Sequence, residues 1–496
     1  MKRGKGNPMK NKVKLTLKEE DFTKFRNQLL KKDGLERQSF CMTGVVDRGN
    51  SLEVLVHKMI HPSDEDYRVQ HSFLVDAKPE FLLKVFSEFE RSGLKGFLHA
   101  HSHPFAAWAT FSGGDNRHLA GEIKSVRDYI SMSSDPRDFY FIRLVYGKDE
   151  RGFKGEVYTH DLTFYGYIDE IKVVGKGGVK KYERCSYSEA WHAEMLPHDR
   201  ERWDRHIRWL GEEGQRRISD THLVVCGVGG AGSVIVANAR GLGFKKITLI
   251  DPDVVETSNL NRLIGAERDD VGKLKVEVME REVKKVDPDA VVHALPCRSE
   301  EDDARYAIID GDVVISGLDT LASRFEIQVL AARYLKPLLD IGSGITLKGG
   351  QGEVADMGGQ VVFYYPGGPC LACQGVPIFE AVSGLSEEIR KSVGYIRGTD
   401  FTPPSVITIN SVLGGAAMNT LVKYLVGLPV KSTHVKYDLL AENVYRFNFL
   451  KKEECPICGQ YGLEGRGDEF TEILPCEELS LESSPSEAVS LQEGAF

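Results

Sequence analysis

Three groups of residues have types and spacings suited to chemistry. The first is His99-Ala-His101-Ser-His103-Pro104, with Ser112-Gly-Gly-Asp115 following after a gap of eight residues from His103. Side chains at i and i+2 of a strand share a face, so His101 and His103 can point at one ion, as His99 also can. Two imidazoles and the Asp115 carboxylate leave a fourth position for water, the layout of a catalytic zinc. The bound water would lose a proton near neutral pH and act as nucleophile. His118 lies close enough to Asp115 in sequence to stand in as a ligand.

The second group is Gly227-Val-Gly229-Gly230-Ala-Gly232-Ser233, whose amides at a helix start could cradle phosphates. Asp251 follows Gly232 by 19 residues, where an acid can hold a ribose hydroxyl. These two features fit NAD and ATP equally. Ser258-Asn259-Leu260-Asn261-Arg262, Lys275, Asp319 and Arg324 then add cationic and amide side chains suited to a triphosphate, with Asp319 at a strand end where Mg²⁺ could sit. The third group is Cys370-Leu-Ala-Cys373 with Cys455-Pro-Ile-Cys458, four thiolates that favour a closed structural zinc and would close the 81-residue loop between the pairs.

The elements that must position these groups follow from periodicity. Residues 22–30 and 79–91 carry helical spacing, the second with Phe81, Leu82, Val85, Phe86 and Phe89 on one face. Residues 39–46, 52–59, 95–100 and 139–145 are expected as strands, giving a mixed α/β unit over 15–170 that presents the histidines at a strand end. Residues 171–200 are expected as a linker, since Gly-Lys-Gly-Gly-Val-Lys-Lys at 175–181 is too polar and flexible to pack. From 201 to 460 the order changes to strand 222–226, glycine turn, helix 233–241 and strand 247–250, a βαβ unit of a doubly wound sheet, with further strands at 312–316 and 337–339. The fold class is therefore α/β in two units.

Composition sets the remaining bounds. At 496 residues, with 41% apolar and 28% charged, the chain is an ordinary globular sequence too long for one core. No window has the apolar length of a membrane span, and the N-terminus lacks the apolar stretch of a signal peptide, so a cytoplasmic location is expected. The formal charge of −9 is uneven: residues 461–496 carry −8 and are expected to be a disordered tail, and residues 1–14 carry +6 as a solvated arm. No clustered basic face marks a nucleic-acid partner.

Two resemblances follow from these motifs. The His-Ser-His-Pro and Ser-x-x-Asp pattern resembles the JAB/MPN (JAMM) metalloprotease family. That resemblance implies His101, His103 and Asp115 as zinc ligands, Ser112 as oxyanion donor, and a general base on the first strand, best matched by Glu36. The gap before Ser112 is one residue longer than the family's usual seven. Residues 202–459 resemble the ThiF/MoeB adenylating enzymes, beginning with Gly211-Glu-Glu-Gly-Gln215. This implies a Rossmann-like adenylating domain with a zinc knuckle of four cysteines. Gly227, Gly229, Gly230 and Gly232 would line the nucleotide, Asp251 would hold its ribose, Asn259, Arg262 and Lys275 its phosphates, and Asp319 its magnesium. Arg205 would reach into a partner subunit of a homodimer.

Together the resemblances imply ATP, Mg²⁺ and two zinc ions, one catalytic and one structural. The ATP-using domain would adenylate the C-terminal carboxylate of a ubiquitin-like or sulfur-carrier protein, and the N-terminal domain would cleave an (iso)peptide bond at the same tail. Many relatives carry a thioester-forming cysteine after the first knuckle, but residues 374–443 contain none. Cys297 is the weak substitute, Cys226 is expected buried in a strand and Cys185 in the linker, so adenylation alone, or transfer to a thiol on another protein (a conjugating or thiol-acceptor protein), fits better than a full thioester relay. Adenylation of a small peptide or amino acid, and a non-catalytic tail-binding scaffold, are the competing readings.

Overall fold

The computed structural model describes residues 11–469 except 32, 73, 105–108, 148–151, 184–196, 349–352 and 382–403. The N-terminal unit comprises β1 (Lys12–Lys18), α1 (Glu19–Leu29), β2 (Gln38–Asp47), β3 (Ser51–Ile60), β4 (Tyr67–Gln70), β5 (Val75–Ala77), α2 (Pro79–Ser92), β6 (Gly96–Ser102), α3 (Gly113–Ser131), β7 (Tyr140–Tyr146), β8 (Phe153–Thr159), β9 (Phe164–Gly175) and β10 (Gly178–Glu183). Its main sheet runs β1-β3-β2-β6-β7-β8-β9-β10, and β1 also pairs with β9, so seven strands close on themselves.

Strand alternation sorts the two faces of this sheet. Leu98 and Ala100 join a core with Val13, Leu15, Cys41 and Leu144, while Phe97 faces a second core of Phe40, Val85, Phe89 and Ile123 under α2 and α3. His99 and His101 share the Phe97 parity and so lie on the face covered by these helices.

The C-terminal unit comprises α4 (Pro197–Arg202), α5 (Asp204–Ser219), β11 (His222–Cys226), α6 (Gly230–Leu242), β12 (Lys246–Ile250), α7 (Lys275–Lys284), β13 (Val291–Leu295), α8 (Asp302–Asp310), β14 (Val313–Ser316), α9 (Leu321–Arg333), β15 (Leu338–Leu347), β16 (Val354–Tyr364), α10 (Ile407–Leu425), β17 (His434–Asp438) and β18 (Asn443–Phe447). Its sheet order is β13-β12-β11-β14-β15-β16-β17-β18. The first five strands are parallel and the last three antiparallel. Order reverses between β11 and β14, and a crevice opens there at the strand C-termini.

The two units share a seam. Val46 and Leu55 of the N-terminal sheet belong to the same apolar cluster as Val314, Leu330 and Leu338. Buried Lys172 on β9 pairs with Asp312 at 2.6 Å, at the N-terminal end of β14, and buried Lys336 lies 3.8 Å from Glu53. The N-terminal unit thus abuts the end of the parallel sheet opposite the crevice.

Three boundary expectations are corrected. Residues 175–181 are not a linker: Gly175 and Gly178 bracket the turn of the β9–β10 hairpin, and Gly178 has a φ of 101° that glycine adopts readily. Its glycines and lysines are those of a tight turn and an exposed edge. The basic arm becomes strand β1 from Lys12, because Val13 and Leu15 alternate with lysines and are buried. The expected disordered tail is ordered as far as Glu469, with Leu463 and Glu464 buried. Residues 184–196, with Cys185, and 470–496 lie outside the described residues.

Candidate functional site

At the end of β6, His101 pairs in register with Gln38 on β2, which brings Glu36 beside the histidines. Ser112 caps α3: its hydroxyl accepts from the Asp115 amide at 3.1 Å, and the Asp115 carboxylate accepts from the Ser112 amide at 2.5 Å. That box aims Asp115 at the strand. Its Oδ2 lies 3.4 Å from His101 Nε2 and 3.5 Å from His103 Nε2, and Glu36 Oε1 lies 3.8 Å from His103 Nε2.

A tetrahedral zinc with N and O ligands at about 2.0–2.1 Å has ligand–ligand edges of about 3.3–3.4 Å. The His101, His103 and Asp115 atoms therefore fit an ion. His101 Nε2 is buried without a hydrogen-bond partner, as a ligand nitrogen would be in this arrangement. The longer gap falls before Ser112, in a stretch containing residues 105–108, which lie outside the described residues; α3 begins where Asp115 needs it.

Burial pushes the Glu36 carboxyl up to about 7, with Asp115 adding to the shift and His103 opposing it. The Asp115 carboxyl is lowered in spite of burial by its contacts with His101 and His103. His118 is exposed and outside the cluster, so it is not a substitute ligand. His99 turns to α3 instead, with Nδ1 3.1 Å from Glu122 and its ring stacked on Phe40.

The crevice of the C-terminal unit is a cleft of about 820 Å³. Gly227, Gly229, Gly230, Asp251, Arg262, Lys275 and Asp319 all line it. Gly227 has a φ of 85°, and a Cβ there would stand 2.9 Å from the Gly317 carbonyl, so the turn after β11 needs glycine. The Asp251 carboxylate accepts from the amides of Val228 (2.8 Å) and Asp253 (2.9 Å). Burial raises its pKa, and Lys275, 4.0 Å away, opposes the rise. Lys275 also pairs with Asp253 at 2.8 Å, and Arg262 donates to the Ser258 carbonyl at 2.6 Å.

Two members of the expected set are not on the wall. Asn259 is buried, and its Oδ1 accepts from the Glu256 amide at 3.1 Å, capping the turn it belongs to. Gly232 packs against the turn after β11, where a Cβ would meet the Gly227 carbonyl at 2.0 Å, so its role is the close approach of α6 to that turn. Arg205 is exposed on α5 and does not line the cleft. Cys226 is buried, and Cys297 lines the cleft with a thiol raised chiefly by burial.

Sequence reasoning missed the opposite wall. Gly342, Ser343 and Gly344 on β15 face Gly358 and Gly359 on β16, with Asn410 from α10 beside them. Arg324, which the sequence did single out as a cation suited to a triphosphate, lines the same wall and is held by buried Asp340, its Nε donating at 2.8 Å. The glycines in two consecutive strands were the available signal, since strand glycines mark close approach of a ligand or backbone.

The four cysteines of the two knuckles meet in one buried cluster. Cys370 Sγ lies 3.6 Å from Cys455 Sγ, and Cys373 Sγ 3.6 Å from Cys458 Sγ. Sulfurs about 2.3 Å from a zinc would stand about 3.8 Å apart, so this set fits a structural ion. No helix among the described residues is long and apolar enough to cross a membrane.

Comparison with known proteins bears on the second half. The ThiF family model matches residues 203–457. The SAMP-activating enzyme E1 of Haloferax volcanii is 25% identical over 277 residues, covering 54% of this chain and 92% of that protein. The sulfur carrier protein adenylyltransferase of Thermus thermophilus is 26% identical over 273 residues, covering 52% and 92%. The crystal structure of E. coli MccB with ATP aligns at a TM-score of 0.43 and 20% identity over 52% of this chain and 74% of that one.

Proposed function

The chain belongs to the ThiF family, and on that footing we propose that its C-terminal unit adenylates the C-terminal carboxylate of a small ubiquitin-like or sulfur-carrier protein. The reading is supported by the convergence of Gly229, Gly230, Asp251, Arg262 and Lys275 on one cleft. It is also supported by relatives named for activating SAMP and for adenylating a sulfur carrier protein. In the reaction a carboxylate oxygen bonds to the α-phosphorus of ATP and the bond to pyrophosphate breaks. Asp251 would hold the ribose, the turn after β11 would offer its amides, and Arg262 and Lys275 would offset the charge of the leaving pyrophosphate. Magnesium would sit at Asp319, which is exposed on the cleft wall. The face that the glycines of the paired strands β15 and β16 present to the cleft suits a narrow, extended tail. With Cys297 raised and no cysteine in 374–443, the adenylate would pass to a thiol on another protein. Arg205, exposed beside exposed Trp209, would face a second copy of the chain in a homodimer.

The N-terminal unit would be a zinc (iso)peptidase of the JAMM type that exposes or releases the same tail. A zinc ion held by His101, His103 and Asp115 would supply an activated water. Glu36, beside that set, would take a proton on its carboxylate and return it to the leaving amine. Ser112 would donate to the developing oxyanion. One measurement tests the main reading: ATP–pyrophosphate exchange by the full chain with a candidate carrier protein ending in Gly-Gly. Exchange that depends on the carrier and on Arg262 supports it. Exchange that survives Arg262→Ala refutes the residue assignment.

A further inference from the structure

Residues 459–469 leave the second cysteine knuckle and run along the seam between the two units. On the C-terminal side, the amides of Gly465 and Gly467 donate to the carbonyls of Ala332 (3.2 Å) and Arg333 (3.0 Å), and Arg333 Nε donates to the Gly467 carbonyl (2.9 Å). On the N-terminal side, the Gly44 amide donates to the Gly465 carbonyl (3.2 Å), and the Val45 amide to Glu469 Oε2 (3.1 Å). His57 Nδ1 lies 2.8 Å from the Glu464 carbonyl, and Arg466 donates to the Ser92 carbonyl at 2.8 Å.

This strap occupies a place that β2 would otherwise leave open. Pairing of β2 with β6 ends at Thr43 and Gly96, so Gly44 and Val45 have run past their neighbour when the strap supplies their acceptors. Contact there is backbone to backbone: a Cβ on Gly44 would stand 2.4 Å from the carbonyl carbon of Arg466. Between the two units, the Glu464 carboxylate accepts from Tyr364 Oη (2.9 Å) and the Gly367 amide (2.8 Å). It also pairs with Lys18 (3.4 Å) and Lys451 (3.6 Å).

The strap has no helix or strand of its own, and Leu463 is its one member of the apolar cores. Ordering eleven backbone residues without a core of their own carries a large cost in conformational entropy, so they need an anchor at their origin. That origin is the knuckle, where the Gly459 amide donates to the Cys455 carbonyl and the Leu463 amide to the Ile457 carbonyl, both at 2.8 Å.

We propose that the four-cysteine cluster, with its metal, anchors an interdomain clasp, fixing the strap 459–469 that binds the end of β2 to α9 and β16. The cluster's reach therefore extends past its own unit to the one that carries His101 and His103. This proposal rests on the cysteine geometry and the seam, and it is independent of what either site catalyses.

The test is residue-resolved amide exchange on the full chain. Stripping the metal with a zinc chelator should speed exchange at Gly44, Val45 and the strap amides about tenfold or more beyond any change at β11, β12 and β14. Unchanged protection at Gly44 and Val45 after metal loss overturns the proposal. So does loss of protection throughout the C-terminal unit in step with them, because the cluster would then hold only its own unit together. Gly44→Val attacks the clasp from the other side, with the thiols intact. It should speed exchange in the strap about tenfold while the metal content stays constant, and a strap as protected as in the parent chain overturns the clasp.

Discussion

The two candidate sites are built in opposite ways. The metal cluster draws on residues between Glu36 and Asp115, set by one ladder register and one helix cap. The nucleotide cleft gathers residues from Gly227 to Lys436, held by the order of parallel strands and by two antiparallel strands that wall it. A compact site is checked by interatomic distances against an ion's bond lengths, whereas a dispersed site is checked by topology. The sites also face apart, since the N-terminal unit packs at the sheet end away from the cleft. Substitutions that damage one should spare the other.

The largest expected effect belongs to neither site. Cys455→Ser removes a thiolate from a closed set of four and leaves three buried ligands mismatched. Calorimetry should show the melting temperature falling by about 10 °C or more, since structural zinc contributes directly to folding. A fall under about 2 °C would mean the cluster carries no metal in the folded chain.

Next comes the cleft. Arg262→Ala and Lys275→Ala should each slow ATP–pyrophosphate exchange about 100-fold, the usual loss when one preorganised charge partner of a transition state is removed. Their zinc content should equal that of the parent chain. His101→Ala is the mirror experiment: metal analysis should show one zinc fewer per chain, with exchange unaltered. A drop in exchange with His101→Ala would mean that the two sites communicate.

Gly227→Val should then cost about 1–3 kcal/mol in chemical denaturation, because valine must adopt a positive φ and its Cβ meets the Gly317 carbonyl. Gly241→Ala, with open space around its Cβ, is the control in the helix that follows and should be neutral or slightly stabilising.

What the sequence disclosed mirrors this contrast. The strands and helices around His101 and Gly227 were legible because period-2 and helical spacing are strong there, and the cysteine pairs because their spacing admits few other uses. The hairpin at 175–181 and the strap beyond Gly459 were misjudged for one physical reason. Both are polar and glycine-rich, and such segments pack through backbone hydrogen bonds with partners far away in sequence. Composition records side chains, so it counted them as solvated. Asn259 failed differently: its place in the motif pointed to phosphate, but an amide beside a free backbone donor is just as apt to cap its own turn.

The smallest expected effect probes the seam. Glu469 accepts from the Val45 amide, and burial pushes its carboxyl up to about 7; Asp468 adds to the rise, while the Val45 amide and nearby Lys95 oppose it. Arg466 is the other charged neighbour. A carboxyl with a raised pKa binds its proton more tightly when docked than when free. Its contribution to docking is therefore fully present below the ordinary carboxylate range and is lost as pH rises through about 7. Protection of the Gly44 and Val45 amides, corrected for intrinsic exchange, should fall several-fold between about pH 6 and pH 8 in the parent chain. Glu469→Gln keeps an acceptor and discards the charge, so its protection should stay level across that range and exceed the parent's at pH 8. Protection that rises with pH in the parent, or a Gln variant less protected than the parent at pH 8, would mean that the ionised carboxylate itself holds the strap to β2.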